Sequence, residues 1–255
     1  MGIIYSIVNQ KGGVGKTTTA INLGSYLSLL NMKVLLIDMD PQGNATSGVG
    51  IDPGKIDKNV YDIIINDEKI TNVIYPTPFE NLHLIPSTQD LSGSEVELVN
   101  YDKREFRLKS FIEQIQDLYD YFIIDCPPSL GLLTLNSLVA SEKTLIPVQC
   151  EYFALEGLSH LLNTLDLVKN SFNPLLNISG IVLTMYDKRT LLNRQVVDEA
   201  KTHFGDKVFD TIIPRSIRLT EAPSHGLPIA LYNPRSNGAK AYHRLAKEVL
   251  SFDNI

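Results

Sequence analysis

Short apolar runs alternate along the chain with stretches in which apolar residues recur every three or four positions, the mark of buried strands separated by amphipathic helices. Ile3, Ile4, Ile7 and Val8 make the first run, and Ala20, Leu23, Leu27 and Leu30 the first helical stripe. Further runs at 33–38, 82–85, 121–125, 144–149, 178–185 and 208–213 predict more strands. Helical spacing predicts helices near 59–66, 90–100 and 104–118, from about 151 to 169, on to about 204, and over 237–251. Asp90 or Ser92 is placed to cap the second of these. The last carries Tyr242, Leu245, Ala246, Val249 and Leu250 on one stripe, which is expected to dock onto the body of the protein. Strand runs with little polar alternation are what a sheet covered on both faces gives. The predicted fold is therefore α/β, a mostly parallel twisted sheet with helices on both faces.

At 255 residues and 44% hydrophobic, the chain can fill one large core. No linker or low-complexity tract divides it, so a single domain over 1–255 is expected. Two cysteines, Cys126 and Cys150, and no signal-peptide pattern point to a cytoplasmic protein. Both cysteines follow or end strands and read as small buried thiols. The five scattered histidines show no metal-ligand spacing, so no structural metal is expected. The net charge of −6 hides an asymmetry. Residues 1–185 carry 12 basic against 21 acidic side chains, a balance of −9, whereas residues 186–255 carry 11 against 8, a balance of +3. A local basic surface near the end of the chain is compatible with an acidic whole.

The candidate chemistry begins between the first strand and the first helix, in Asn9-Gln10-Lys11-Gly12-Gly13-Val14-Gly15-Lys16-Thr17-Thr18. Glycines let consecutive backbone N–H groups turn inward toward phosphate oxygens, and the positive end of the following helix points at the same place. Lys16 is positioned to meet β- and γ-phosphates, and the Thr17 hydroxyl to ligate Mg²⁺. Gln10 stands where the general phosphate-loop pattern has its first glycine, and a second lysine, Lys11, stands inside the loop. Two strands then end in acids. The run at 33–38 leads into Asp38-Met39-Asp40-Pro41-Gln42-Gly43, and the run at 121–125 ends at Asp125-Cys126-Pro127-Pro128. Strand carboxyl ends are where open α/β sheets bind ligands.

The order Lys-Gly-Gly-Val-Gly-Lys-Thr-Thr resembles the deviant Walker A loop of the ParA/MinD group of P-loop ATPases. The resemblance extends over nearly the whole chain through Asp-Met-Asp-Pro-Gln-Gly-Asn-Ala-Thr-Ser-Gly, Asp-Cys-Pro-Pro-Ser-Leu-Gly, Gln-Cys-Glu-Tyr-Phe-Ala-Leu-Glu-Gly and Glu-Ala-Pro-Ser-His-Gly. It is similar above all to the chromosomal ParA type. That resemblance implies a Mg²⁺-dependent ATPase in which Lys11 reaches the nucleotide of a partner subunit in an ATP-dependent homodimer. It implies that Gly12, Gly13, Val14, Gly15, Lys16, Thr17 and Thr18 cradle the phosphates, that Asp40 helps to position the attacking water, and that Asp125 holds Mg²⁺. Thr17, Asp40 and Asp125 are the candidate metal residues. Met185 and Pro214, at two strand ends, are the candidates for adenine contact. Arg189 and Arg218 match positions that bind DNA in this type, so the dimer is expected to bind double-stranded DNA without sequence preference, associate with the nucleoid, and be reset by a ParB-type partner. The loop begins at residue 9, so the helix-turn-helix that precedes it in many plasmid versions is not expected here. The alternative is a membrane-associated switch of the MinD type, which the mixed charges of the tail disfavour. A metabolic ATP-dependent enzyme is the third class.

Overall fold

The computed structural model describes residues 1–151 and 154–254, with no side-chain account of 154–156. Its sheet has seven strands: β1 Ile3–Ile7, β2 Val34–Asp38, β3 Tyr75–Pro76, β4 Leu82–Ile85, β5 Tyr121–Asp125, β6 Lys143–Gln149 and β7 Asn177–Thr184. Their spatial order is β3-β4-β2-β5-β1-β6-β7, parallel throughout except for the two-residue β3 against β4. The helices are α1 Lys16–Leu29, α2 Asn44–Gly48, α3 Val60–Ile64, α4 Leu91–Glu97, α5 Arg107–Ile112, α6 Leu132–Ala140, α7 Ala154–Ser171, α8 Leu191–Phe204, α9 Ile217–Glu221, α10 Ile229–Tyr232 and α11 Asn237–Phe252. After β1 the chain moves to one side through β2 and β4, returns at β5, and then crosses β1 to lay down β6 and β7. The loop after β1 thus opens at the switch point of the strand order, where such sheets hold ligands.

Alternate residues of each central strand feed two separate cores. Tyr5, Ile7, Leu36 and Ile123 pack under α1 and α11, while Ile4, Leu35, Ile37, Phe122 and Ile124 pack against the helices of the other face. Within α11, Tyr242, Leu245, Ala246 and Val249 are buried, and Leu250 is partly buried against the same core. The expected docking stripe is therefore in place. Beyond the packing, the Asp253 carboxylate at the end of α11 accepts both the Tyr5 and the Tyr121 hydroxyls and pairs with the Lys143 ammonium at the foot of the sheet.

Three predicted elements differ. Residues 208–213 form no strand, only isolated bridges, Ile181 with Val208 and Tyr186 with Pro214. Phe209 N–H donates to Ile181 O and Ile213 N–H to Leu183 O, so four residues advance on one side against two on β7. The surplus bulges, and the N–H groups of Asp210 and Thr211 turn to the Glu248 carboxylate on α11. The stretch 104–118 is not one helix. It is α5 flanked by 3₁₀ turns, ending where Gln116 pairs with Gly2 at the first strand. Finally, neither Asp90 nor Ser92 caps α4; the Ser92 hydroxyl donates to the Gln89 carbonyl instead. In the segment 151–157, where a helix start was expected, Tyr152 and Phe153 lie outside the described residues.

Candidate functional site

The loop between β1 and α1 is shaped by two left-handed residues, Gly13 at φ +75° and Gly15 at φ +94°, a conformation that side chains with a Cβ resist. At Gly12 and Gly13, both exposed, an added Cβ would point into open space, so packing does not require glycine there. Asn9 braces the loop from below. Its Oδ1 accepts the Lys11 N–H at 3.0 Å, and its Nδ2 donates to Pro147 O at 2.8 Å. The Thr184 hydroxyl, at the end of β7, donates to Val14 O at 2.8 Å. Val14 itself is buried, so its contribution to the cradle is backbone only.

Lys16 is buried at the start of α1, with Nζ donating to Lys11 O at 3.3 Å. Burial pulls its pKa down, while Asp125, Cys126 and Asp40 push it back up. Lys11 is different. Half exposed, it pairs with Glu151 at 3.0 Å and lines a separate cavity of about 260 Å³ with Asn9, Gln10 and Gln149. The main cleft, about 860 Å³, is lined by Gly12, Gly13, Gly15, Lys16, Thr17, Thr18 and Asp40 at one end and by Met185, Pro214, Arg215 and Ser216 at the other. The structure thus brings the expected phosphate and base residues to one cleft and places Lys11 outside it. Met185 has φ +53°, and the neighbouring backbone is clamped by Tyr186 N–H to Ile213 O and Arg215 N–H to Tyr186 O.

The strand-end acids have divided roles. Asp38 and Asp125 are register neighbours on β2 and β5, and both are fully buried. Asp38 accepts the Thr46 N–H at 2.9 Å, the Thr46 hydroxyl at 2.8 Å and the Asp40 N–H at 3.1 Å, and so folds the turn that presents Asp40. Burial pushes its pKa up to about 6 against these hydrogen bonds. Asp40 accepts the Gln42 N–H at 2.9 Å and lines the cleft.

Neither oxygen of Asp125 has a hydrogen-bond partner among the described residues. Its pKa is driven well above the ordinary range by burial and then by the Asp38 charge, with the Thr17 hydroxyl, near enough to favour the charged form but outside hydrogen-bond geometry, and Lys16 acting the other way. The following residues explain the orphaned oxygens, since Pro127 and Pro128 have no N–H to donate. A carboxylate held unpaired in a dry site, beside a threonine hydroxyl and below a phosphate cradle, fits a hard divalent cation that takes oxygen ligands. Among the described residues no three of His, Cys, Asp or Glu are grouped to hold a metal by themselves.

The remaining expected residues do not line the cleft. Arg189 forks onto Asp187, Nε to Oδ1 at 3.0 Å and Nη2 to Oδ2 at 2.7 Å, and Arg218 donates to Glu221 at 2.8 Å. Cys126 and Cys150 are buried free thiols with pKa values pushed up to about 12 by burial. Sequence reasoning missed the bracing roles of Asp38, Thr46 and Thr184 and the place of Arg215 in the cleft wall. Only Arg215 had a visible signal, as the cation directly after Pro214. No helix among the described residues is long and apolar enough to cross a membrane.

A family model for the AAA domain matches residues 2–178. The chain is 57% identical over 249 residues to the sporulation initiation inhibitor protein Soj of Bacillus subtilis, covering 98% of each chain. It is 53% identical over 253 residues to the chromosome-partitioning ATPase Soj of Treponema pallidum, covering 99% of each. Among solved structures, it superposes with a TM-score of 0.88 and 35% identity on cobyrinic acid a,c-diamide synthase of Mycobacterium smegmatis with bound ADP and magnesium, covering 100% of this chain and 96% of that one.

Proposed function

The chain belongs to the Soj/ParA family of chromosome-partitioning ATPases, and from that premise we propose that it is an ATP-driven switch whose dimer holds DNA without regard to sequence. The observation that carries the reading is Asp125, fully buried with both oxygens unpartnered, at the end of the strand beside the glycine loop. A buried, unpartnered carboxylate there suits a Mg·nucleotide.

The loop N–H groups and the α1 N-terminus receive the phosphates, and Lys16 leaves the Lys11 carbonyl to meet the β/γ-phosphates. Thr17 and Asp125 would hold Mg²⁺, which when bound would supply charge compensation for the phosphates. Asp40, held by its own turn, orients the attacking water. Met185 and Pro214 form the walls for the base. Lys11 lies outside its own cleft and pairs with Glu151, a partner it exchanges for phosphate when it serves a second copy of the chain. Two triphosphates facing each other would repel, and a lysine from each side compensates that charge, so the homodimer lasts only as long as the γ-phosphates do. Arg189 and Arg218 of both subunits contact DNA phosphates, which places the ATP form on the nucleoid, and a ParB-type partner resets the cycle by stimulating hydrolysis. The apolar stripe of α11 is spent on packing against α1, which supports DNA over a membrane as the surface bound.

Size-exclusion chromatography with ADP and with ATP, run beside DNA mobility shifts at two salt concentrations, tests the reading. The expected result is a dimer with ATP only, bound to all sequences alike and released by salt. Dimerisation without ATP, or binding confined to one sequence, would refute it.

A further inference from the structure

Each of the two arginines assigned to DNA already carries a carboxylate of its own. Arg189 makes a two-pronged contact with Asp187, which also accepts the Arg189 backbone N–H at 3.0 Å. Arg218 pairs with Glu221, and the Tyr232 hydroxyl donates to the same Glu221 oxygen at 3.1 Å, fixing the carboxylate in place. Both acids are held below their ordinary pKa by these partners and are charged at neutral pH. Neither acid lines the nucleotide cleft. A phosphate approaching Arg189 therefore meets a guanidinium already forked onto a carboxylate, and one approaching Arg218 meets a guanidinium whose charge is offset and one of whose donors is engaged.

We propose that Asp187 and Glu221 mask the DNA-binding arginines, so that phosphate must displace an internal carboxylate at each site before it is bound. This rests on the reading of Arg189 and Arg218 as DNA contacts and adds to it a reason why the single subunit stays off DNA. One subunit offers two masked cations, and exchanging one anion for another there gains little, as for any exposed ion pair. The ATP dimer aligns four such sites on one duplex, where the small gain per site is multiplied and the released counterions add to it. The mask sets the threshold so that valency decides binding.

The test uses the full chain loaded with a non-hydrolysable ATP analogue and a short duplex of arbitrary sequence, titrated at low and moderate salt. Glu221→Gln keeps the acceptor for Tyr232 and removes the charge. Asp187→Asn likewise keeps a side-chain acceptor for the Arg189 N–H. An exposed pair is worth up to about fivefold in an equilibrium constant, and each site counts twice in a symmetric dimer. Either variant should therefore tighten DNA binding on the order of tenfold at low salt, with a smaller gain at moderate salt, and should begin to bind DNA with ADP. The gain from Glu221→Gln should vanish when Arg218→Ala is also present. Unchanged or weaker binding by both variants overturns the mask and assigns the acids to orienting the arginines. A gain that survives Arg218→Ala also overturns it, because bulk charge then explains the effect. If Arg218→Glu and Arg189→Glu leave DNA affinity intact, the underlying reading fails instead, a result distinct from either of these.

Discussion

Replacing Asp125 with asparagine should stabilise the nucleotide-free protein and remove its response to magnesium. The wild-type carboxylate is fully buried with no hydrogen-bond partner, whereas asparagine has nearly the same shape and no charge to bury. An unsatisfied buried polar group costs about 1–3 kcal/mol, a penalty the asparagine amide incurs as well, and a charged one costs more; the variant is spared that excess, taken as about 1 kcal/mol or more. For a chain of this length each kcal/mol shifts Tm by roughly 2–4 °C, so the variant should melt at least about 2 °C higher above neutral pH. The pH dependence has a definite sign. The folded pKa of Asp125 lies above its ordinary 3.8. Its penalty is therefore absent below pH 3.8, grows as pH climbs to the folded value, and is constant beyond it. Asp38, raised from 3.8 to about 6, contributes a fall of the same sign across that interval, about 3 kcal/mol at 1.36 kcal/mol per unit. Removing Asp125 relieves part of this as well, since the two carboxyls repel. Calorimetry at pH 4, 6 and 8 in a chelator should show the two proteins together at pH 4 and the variant ahead at pH 8. Added Mg·ATP at a hundredfold excess over Kd should then stabilise the wild type by about 2.7 kcal/mol over the ligand-free protein, roughly 5–11 °C in Tm, and by clearly more than ATP with chelator does, while the variant gains equally with and without the metal. A wild type at least as stable as the variant at pH 8 would refute the uncompensated charge.

Lys16→Ala should abolish tight ATP binding in a fluorescent-nucleotide titration, whereas Lys11→Ala should bind ATP normally and fail to dimerise on a sizing column. Asp40→Ala is expected to yield a long-lived ATP dimer with turnover reduced at least a hundredfold in a phosphate-release assay; loss of ATP binding would make Asp40 a nucleotide ligand. Asp38→Ala strands three donors, including the Thr46 hydroxyl, and should destabilise the fold by about 2–4 kcal/mol in urea unfolding.

Much of this site is legible along the chain because its chemistry is local. The glycines that must take positive φ, Lys16 and the threonines lie within a few residues of one another, and each acid ends an apolar run that only a buried strand explains. The arginine masks are local too, two and three residues from their partners. The run at 208–213 misled because an apolar stretch reports burial and not pairing. Whether its N–H groups join a ladder depended on Glu248, 37 and 38 residues away.

The sequence by itself determined the alternation of elements, the phosphate loop and the carboxylates, since periodicity, backbone conformation and strand ends are properties of neighbouring residues. It singled out Asp125 for the metal by resemblance and gave Asp38, another strand-end acid, no role. Tertiary structure alone supplied the physical difference between them, by bringing Thr46 onto Asp38 from eight residues on while the turn after Asp125, with its two prolines, offers that carboxylate no donor. The same holds for Lys11 and Glu151, 140 residues apart, and for the meeting of Met185 and Pro214 with the loop in one cleft. These depend on strand order, with β1 between β5 and β6, and strand order is a property of the packed sheet that no local stretch of the chain encodes.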